Sequence, residues 1–214
     1  MRKIIFLLTI ILFIQCKTNQ PTTPTGLVTE KAMVVSARKE ASAIGSGILK
    51  KGGNAFDAMV ATELALAVTY PYAGNIGGGG FLDYREKAPL SAHKDMYLDS
   101  LENVIPNKST LGATAVGVPG TVAGVIEVHR KFGSLTLEEV LAPVIALAEK
   151  GVVVTKKQEE RLEDYRKIII DVNSDSTLFA AVYKAGDTVK YPVLAKTLKK
   201  IAKEGRDGFY KGET

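Results

Sequence analysis

The chain has 214 residues, 46% hydrophobic and 24% charged, a balance that suits a globular body and excludes a disordered tail, a collagen-like fibre and a polytopic membrane protein. Its 28 Lys and Arg against 23 Asp and Glu leave +5, spread along the chain, with the densest points (Lys156, Lys157; Lys196, Lys199, Lys200, Lys203) at helical spacing. These read as solvated helix faces, not as the basic patch that nucleic acid requires. One cysteine permits no internal disulfide and no cysteine-built metal site, and the isolated His93 and His129 do not replace it.

Residues 1–16 open with Arg2 and Lys3, followed by an apolar run from Ile4 to Ile14 broken by Thr9. That run is too short for the roughly 30 Å bilayer core, so it predicts a secretory signal and an exported protein. Cys16, directly after the run, resembles the lipidated cysteine of a bacterial lipoprotein signal; ordinary signal-peptidase cleavage with an incidental cysteine is the other reading. Residues 17–29, with Pro21, Thr22, Thr23 and Pro24, predict a flexible tether, and residues 30–214 a single domain.

Within that domain Met33 to Ser36 predicts a short strand. A helix follows from Ala37 to Lys51, with Ile44, Ile48 and Leu49 on one face and Gly52 and Gly53 as its stop. A second helix from Asn54 to about Thr69 is apolar nearly all round and should be buried on more than one side. Pro71 ends it, and Asn75 with Gly77 to Gly80 forms a loop. Ala113 to Val118 alternates weakly and predicts a strand, and Pro119 and Gly120 open a helix from Thr121 to about Lys131. Thr136 with Glu139, and then Thr155 with Gln158, are capping boxes for two further helices, the second polar enough for the surface. A last helix runs from Pro192 to Glu204. Strands separated by helices predict an α/β layered (α+β) domain.

The four glycines lack the Lys and Ser/Thr of a phosphate loop and the strand–loop–helix order of a dinucleotide site, so a tight turn at a close backbone crossing is the better reading. Arg85 lies between Asp83 and Glu86 just beyond that loop. Its planar fork could hold a substrate carboxylate or pair locally with either acid. His129, beside Arg130 and Lys131, suits a helix C-terminus, where a cation complements the dipole. Ser91, His93 and Asp95 stand too near in sequence for a triad, whose members meet across a fold.

These residues carry a resemblance. Ala32-Met33-Val34-Val35, Lys51-Gly52-Gly53-Asn54-Ala55-Phe56-Asp57-Ala58, Asn75-Ile76 with Gly77 to Gly80 and Phe81, Tyr84-Arg85-Glu86-Lys87-Ala88-Pro89, Ala115-Val116-Gly117-Val118-Pro119-Gly120 with Gly124, and Gly208-Phe209-Tyr210-Lys211-Gly212 follow the motif order of the γ-glutamyltranspeptidase (glutathione hydrolase) family. The resemblance implies the αββα four-layer sandwich of N-terminal-nucleophile hydrolases, represented here by part of the large subunit. It implies a precursor that cuts itself before a threonine, which then attacks γ-glutamyl amides such as glutathione. It also implies Arg85 as the binder of the γ-glutamyl α-carboxylate, no cofactor, and a small subunit from the same precursor as partner.

Two departures accompany it. No threonine of this chain fits the nucleophile motif, which belongs to the small subunit. Phe81 also runs straight into Leu82-Asp83-Tyr84-Arg85, where the family carries a strand and turn of about a dozen more residues. The alternatives are a catalytically inactive exported lipoprotein built on the same scaffold, or a related acylase of the cephalosporin type.

Overall fold

The computed structural model describes residues 26, 28–77, 92–174 and 176–214. The chain divides into two compact units, Met1–Ala32 and Met33–Thr214. In the first, the Thr29 hydroxyl donates to the Ala32 carbonyl at 3.1 Å.

The second unit is mostly helical. Helix α1 spans Lys39–Lys50 and α2 spans Ala55–Thr69, and the two form a hairpin through the glycine turn after Lys51. Asn54 begins α2 through a capping box with Asp57, an arrangement that satisfies orphan amides at both ends of the first turn. As its composition predicts, α2 is enclosed on several sides: Val60, Ala61, Leu64, Ala65 and Val68 are wholly buried, and its exposed residues are Ala55, Phe56 and Met59 near its start. The α1–α2 crossing depends on Gly45, because a Cβ there would lie 2.2 Å from Thr62 Oγ1 and 2.9 Å from Val34 Cγ1.

Helix α3 (Thr121–Phe132) follows Pro119-Gly120, and α4 (Leu137–Lys150) follows the Thr136–Glu139 capping box. Both begin where the sequence predicts. The buried face of α4 is Val140, Leu141, Val144 and Ala148, and Pro143 is accommodated within the helix. Strand β1 (Val152–Val153) pairs antiparallel with β2 (Thr188–Val189) in the register Val152 to Val189 and Val153 to Thr188. Between them lies α5 (Lys156–Asn173), capped by Thr155 and Gln158, with Leu162 as its single buried residue. Helix α6 (Pro192–Glu204) ends at Gly205, and the short α7 spans Asp207–Tyr210.

The core lies between α2, α4 and α6, with α1 and α3 closing its flanks. Ile48, Leu64, Leu141, Leu198 and Ile201 are its largest wholly buried side chains. Each contributes about 1.5–3 kcal/mol through removal of apolar surface from water. The surface lysines behave as solvated faces: Lys196 and Lys200 reach Glu213, Lys199 reaches Glu149, and Lys156 reaches Glu159.

Two predicted strands are absent as strands. Met33 to Ser36 has no ladder partner among the described residues. There Val34 packs on the core while the Ser36 hydroxyl donates to the Arg38 carbonyl at 2.8 Å, which fixes the entry to α1. Ala113 to Val118 is a 3₁₀ turn at Ala113–Ala115 followed by exposed backbone outside any ladder. A β-prone run becomes a strand only beside another strand, and none of the described residues supplies one. The pairing occurs instead at β1 and β2, two residues each.

Candidate functional site

The glycine loop leaves from the C-terminus of α2, and the first part of that exit is tightly determined. Tyr70 caps the helix, its ring meets Tyr72 edge-on at 5.6 Å, and its carbonyl accepts from the amides of Ala73 at 3.1 Å and Gly74 at 2.8 Å. A Cβ on Gly74 would stand 2.7 Å from the Leu66 carbonyl, so the chain folds back directly onto the last turn of α2. Ile76 then packs against the core, while Asn75 and Gly77 face solvent. This stem leads into the segment that carries Arg85. Arg85 itself, Gly78 to Gly80, Phe81, Asp83, Glu86 and Cys16 lie outside the described residues, as does Ser91.

Two further motif junctions are visible. Asp57 is wholly buried, and its carboxylate accepts from the Asn54 amide at 2.9 Å, the Ser134 amide at 3.1 Å, the Ser134 hydroxyl at 2.7 Å and the Leu135 amide at 3.3 Å. Burial pushes its pKa up; the Ser134 hydroxyl and the Asn54, Ser134 and Leu135 amides outweigh that and hold it below the ordinary value of 3.8. His129 approaches the same carboxylate at 3.7 Å, but its Nε2 lies 2.9 Å from the Leu135 carbonyl. Ser, His and Asp therefore meet here without forming a nucleophilic triad. The serine donates directly to the aspartate, and the His129 Nε2 is engaged with the Leu135 carbonyl and not with the serine hydroxyl. The cluster instead fastens the start of α2 to the α3–α4 turn, helped by Asn54 Nδ2 donating to the Phe132 carbonyl at 2.6 Å and by the stacked Phe56 and Phe132 rings.

At the second junction the Tyr210 hydroxyl donates to the Pro119 carbonyl and accepts from the Ala123 amide at 3.0 Å, with the Arg206 guanidinium 4.8 Å from the ring centroid. A crevice near the α2 exit is lined by Pro71, Tyr72, Gln158, Phe179, Val189 and Tyr191. Burial, aided by Tyr72 and Tyr183, pushes the Tyr191 hydroxyl up to about 12, so it stays neutral. The Gln158 amide donates to the Thr69 carbonyl at 3.3 Å while its oxygen accepts from the Thr155 amide at 3.0 Å. His93 lies in an exposed turn, and among the described residues no three His, Cys, Asp or Glu side chains gather as a metal site.

Sequence reasoning places Asp57, Gln158 and Tyr210 within motifs or caps but not at these long-range junctions. The Asn54–Asp57 and Thr155–Gln158 boxes were the available signals. The partners of Asp57 and Tyr210, some eighty or ninety residues away, leave no local trace.

The junctions join segments that match the sequence profile of the γ-glutamyltranspeptidase family, which covers residues 41–214. The chain belongs to this family. The γ-glutamyltranspeptidase relationship extends to a glutathione hydrolase proenzyme of Pseudomonas aeruginosa, 49% identical over 185 residues, covering 80% of this chain and 32% of that protein. The Helicobacter pylori γ-glutamyltranspeptidase crystal structure superposes with a TM-score of 0.81 at 41% identity, covering 87% of this chain and 58% of that one. The γ-glutamyltranspeptidase of Pseudomonas nitroreducens, complexed with L-DON, gives 0.78 at 44% identity over 87% and 58% of the two chains. The chain spans about a third of the length of the curated relatives it matches.

In γ-glutamyltranspeptidase terms, Asn54 to Asp57 is thus a helix-start motif whose aspartate grips a distant turn. The Gly208-Phe209-Tyr210 motif holds the Val118-Pro119-Gly120 motif. Among the described residues no helix is long and apolar enough to cross a membrane.

Proposed function

We propose that this chain is a large-subunit portion of an enzyme that transfers or hydrolyses γ-glutamyl groups from glutathione and related amides. The observation that carries the reading is the near-half identity to a glutathione hydrolase proenzyme. The nucleophilic threonine, activated by its own α-amino group, belongs to the small subunit of the same precursor, the partner this chain requires. The complete fold is the αββα sandwich, of which the helical body around α2, α4 and α6 is one layer.

Arg85 binds the α-carboxylate of the γ-glutamyl group, because a guanidinium fork matches a carboxylate bidentately. The buried Gly74 against Leu66 supports this reading, since it fixes the start of the segment that carries Arg85. Residues 1–16 direct export, Cys16 carries a lipid anchor, residues 17–29 are the tether, and residues 30–214 are the enzyme portion.

The test is to mix the 214-residue chain with the whole remaining portion of the Pseudomonas aeruginosa relative, the rest of its large subunit together with its small subunit, and follow release of p-nitroaniline from γ-glutamyl-p-nitroanilide. Release in the mixture and none from the chain alone is the expected result. Turnover by the chain alone would overturn the assignment of the nucleophile. A silent mixture, with both parts folded and associated, would overturn the enzymatic reading in favour of an inactive scaffold.

A further inference from the structure

Residues 92–120, which lead into α3, contain no buried residue. Their order comes from contacts at the surface. Asp99 Oδ1 accepts from the amides of Leu101 at 2.8 Å and Asn103 at 2.9 Å, and the Asp99 amide donates to the Asn103 carbonyl at 2.9 Å. The Tyr97 hydroxyl donates to the Thr114 carbonyl at 3.1 Å, and the Thr114 hydroxyl to the Lys108 carbonyl at 2.7 Å. Leu101, at the tip, is 79% exposed, and Glu102 beside it has φ +65°. An endoprotease must draw several residues into extended form, and here that requires the loss of surface hydrogen bonds and of the Leu98–Val104 bridge but draws out no buried residue.

The body on either side is joined by contacts that do not pass through this arm. Asp57 accepts from Ser134 and Leu135, Asn54 donates to the Phe132 carbonyl, and Gln158 donates to the Thr69 carbonyl. Val60, Leu64 and Val68 share one core with Val122, Leu141 and Leu198.

We infer that the Leu101–Glu102 peptide bond is a processing site for an endoprotease of broad, apolar-preferring specificity, and that the cut protein persists as two chains in one non-covalent body. Hydrolysis adds one water across the bond. It leaves a carboxylate on Leu101 and an ammonium on Glu102, both at exposed positions that solvate the new charges.

The experiment is limited digestion of the full 214-residue chain with subtilisin. Cut order within residues 39–69 and 92–210 is read by mass spectrometry, and the product is run on a native sizing column at micromolar concentration. The expected first cut in these ranges is Leu101–Glu102, with both pieces eluting together at the intact mass and separating in guanidinium. Asp99→Ala, which removes the acceptor of the turn, should speed that cut about three- to tenfold, because cleavage follows the local opening equilibrium. First cuts inside α3, α4 or α6, pieces that elute apart without denaturant, an unchanged rate in Asp99→Ala, or a starting chain without helical circular dichroism would each overturn the inference.

Discussion

The Tyr210 hydroxyl accepts a hydrogen bond at 3.0 Å from the amide of Ala123, the third residue of α3 and one of the donors that a helix start leaves without an intrahelical partner. Gly120, which precedes that helix, has no side chain to cap it. A tyrosine from the far end of the chain supplies the missing acceptor. Tyr210→Phe keeps the ring and removes both hydroxyl contacts. It should cost about 1–2 kcal/mol in urea unfolding, with faster amide exchange at Ala123. An unchanged exchange rate there would refute the capping role.

Asp57 should make stability depend on acid. Its folded pKa lies below its ordinary 3.8, so its contribution is complete above that value and is lost as pH falls through the folded pKa. Asp57→Asn places an amide group among four donors and should cost about 2–4 kcal/mol at neutral pH. The gap between the variant and the parent should narrow as pH falls below the ordinary 3.8 and through the lowered folded pKa, where the parent carboxylate protonates. A gap that stays constant to pH 2.5 would show that the charge of Asp57 is not what the turn recognises.

The α1–α2 crossing offers a test by double substitution. Gly45→Ala brings a methyl group to 2.2 Å from Thr62 Oγ1, which is itself held by the Ala58 carbonyl at 2.6 Å. The expected loss is about 1–3 kcal/mol. Thr62→Ala removes the obstructing oxygen, so the double variant should be less destabilised than the sum of the single variants. Strict additivity would place the strain elsewhere.

The two threonine caps should behave differently although their hydrogen bonds match. Thr136→Ala and Thr155→Ala each remove a cap worth about 1 kcal/mol. Helix α4 buries four residues in the core, so loss of its cap should lower the global melting temperature. Helix α5 buries only Leu162, so loss of its cap should appear first as faster local amide exchange.

For Arg85 the measurement is kinetic, in the two-part mixture described above. Arg85→Lys should raise KM for the γ-glutamyl anilide about tenfold or more with a smaller change in kcat, because one ammonium cannot reproduce a bidentate fork. An unchanged KM would remove Arg85 from the substrate site.

The helices were legible because their information is local: a capping box, a 3.6-residue stripe and a terminal glycine all fall within one segment, as in α4. The strands were not. Val116 and Val118 have the residue types of a strand, yet their state depends on a neighbour that no local pattern reveals. Conversely Val152 and Val189 pair in strands too short to show any alternation. The candidate site divides in the same way. The family motifs exposed Asn54 to Asp57 and Gly208 to Tyr210 as segments of interest. That Asp57 holds Ser134 and Tyr210 holds Pro119 follows only from the folded chain.

Gln158 gives α5 the mechanics of a cantilever. Its side chain ties the first turn of α5 both to Thr155 and to the end of α2, and the neighbouring Glu159 accepts from the Ala185 amide at 3.0 Å. Beyond Leu162 the beam rests only on partly buried residues such as Ile169 and Ile170, with Tyr165, Ile168 and Val172 between 41% and 46% exposed. Load applied near Asn173, by a label, an insertion or a crowded neighbour, therefore falls on the half of the helix that holds no wholly buried residue and leaves the root beside the glycine-loop stem in place.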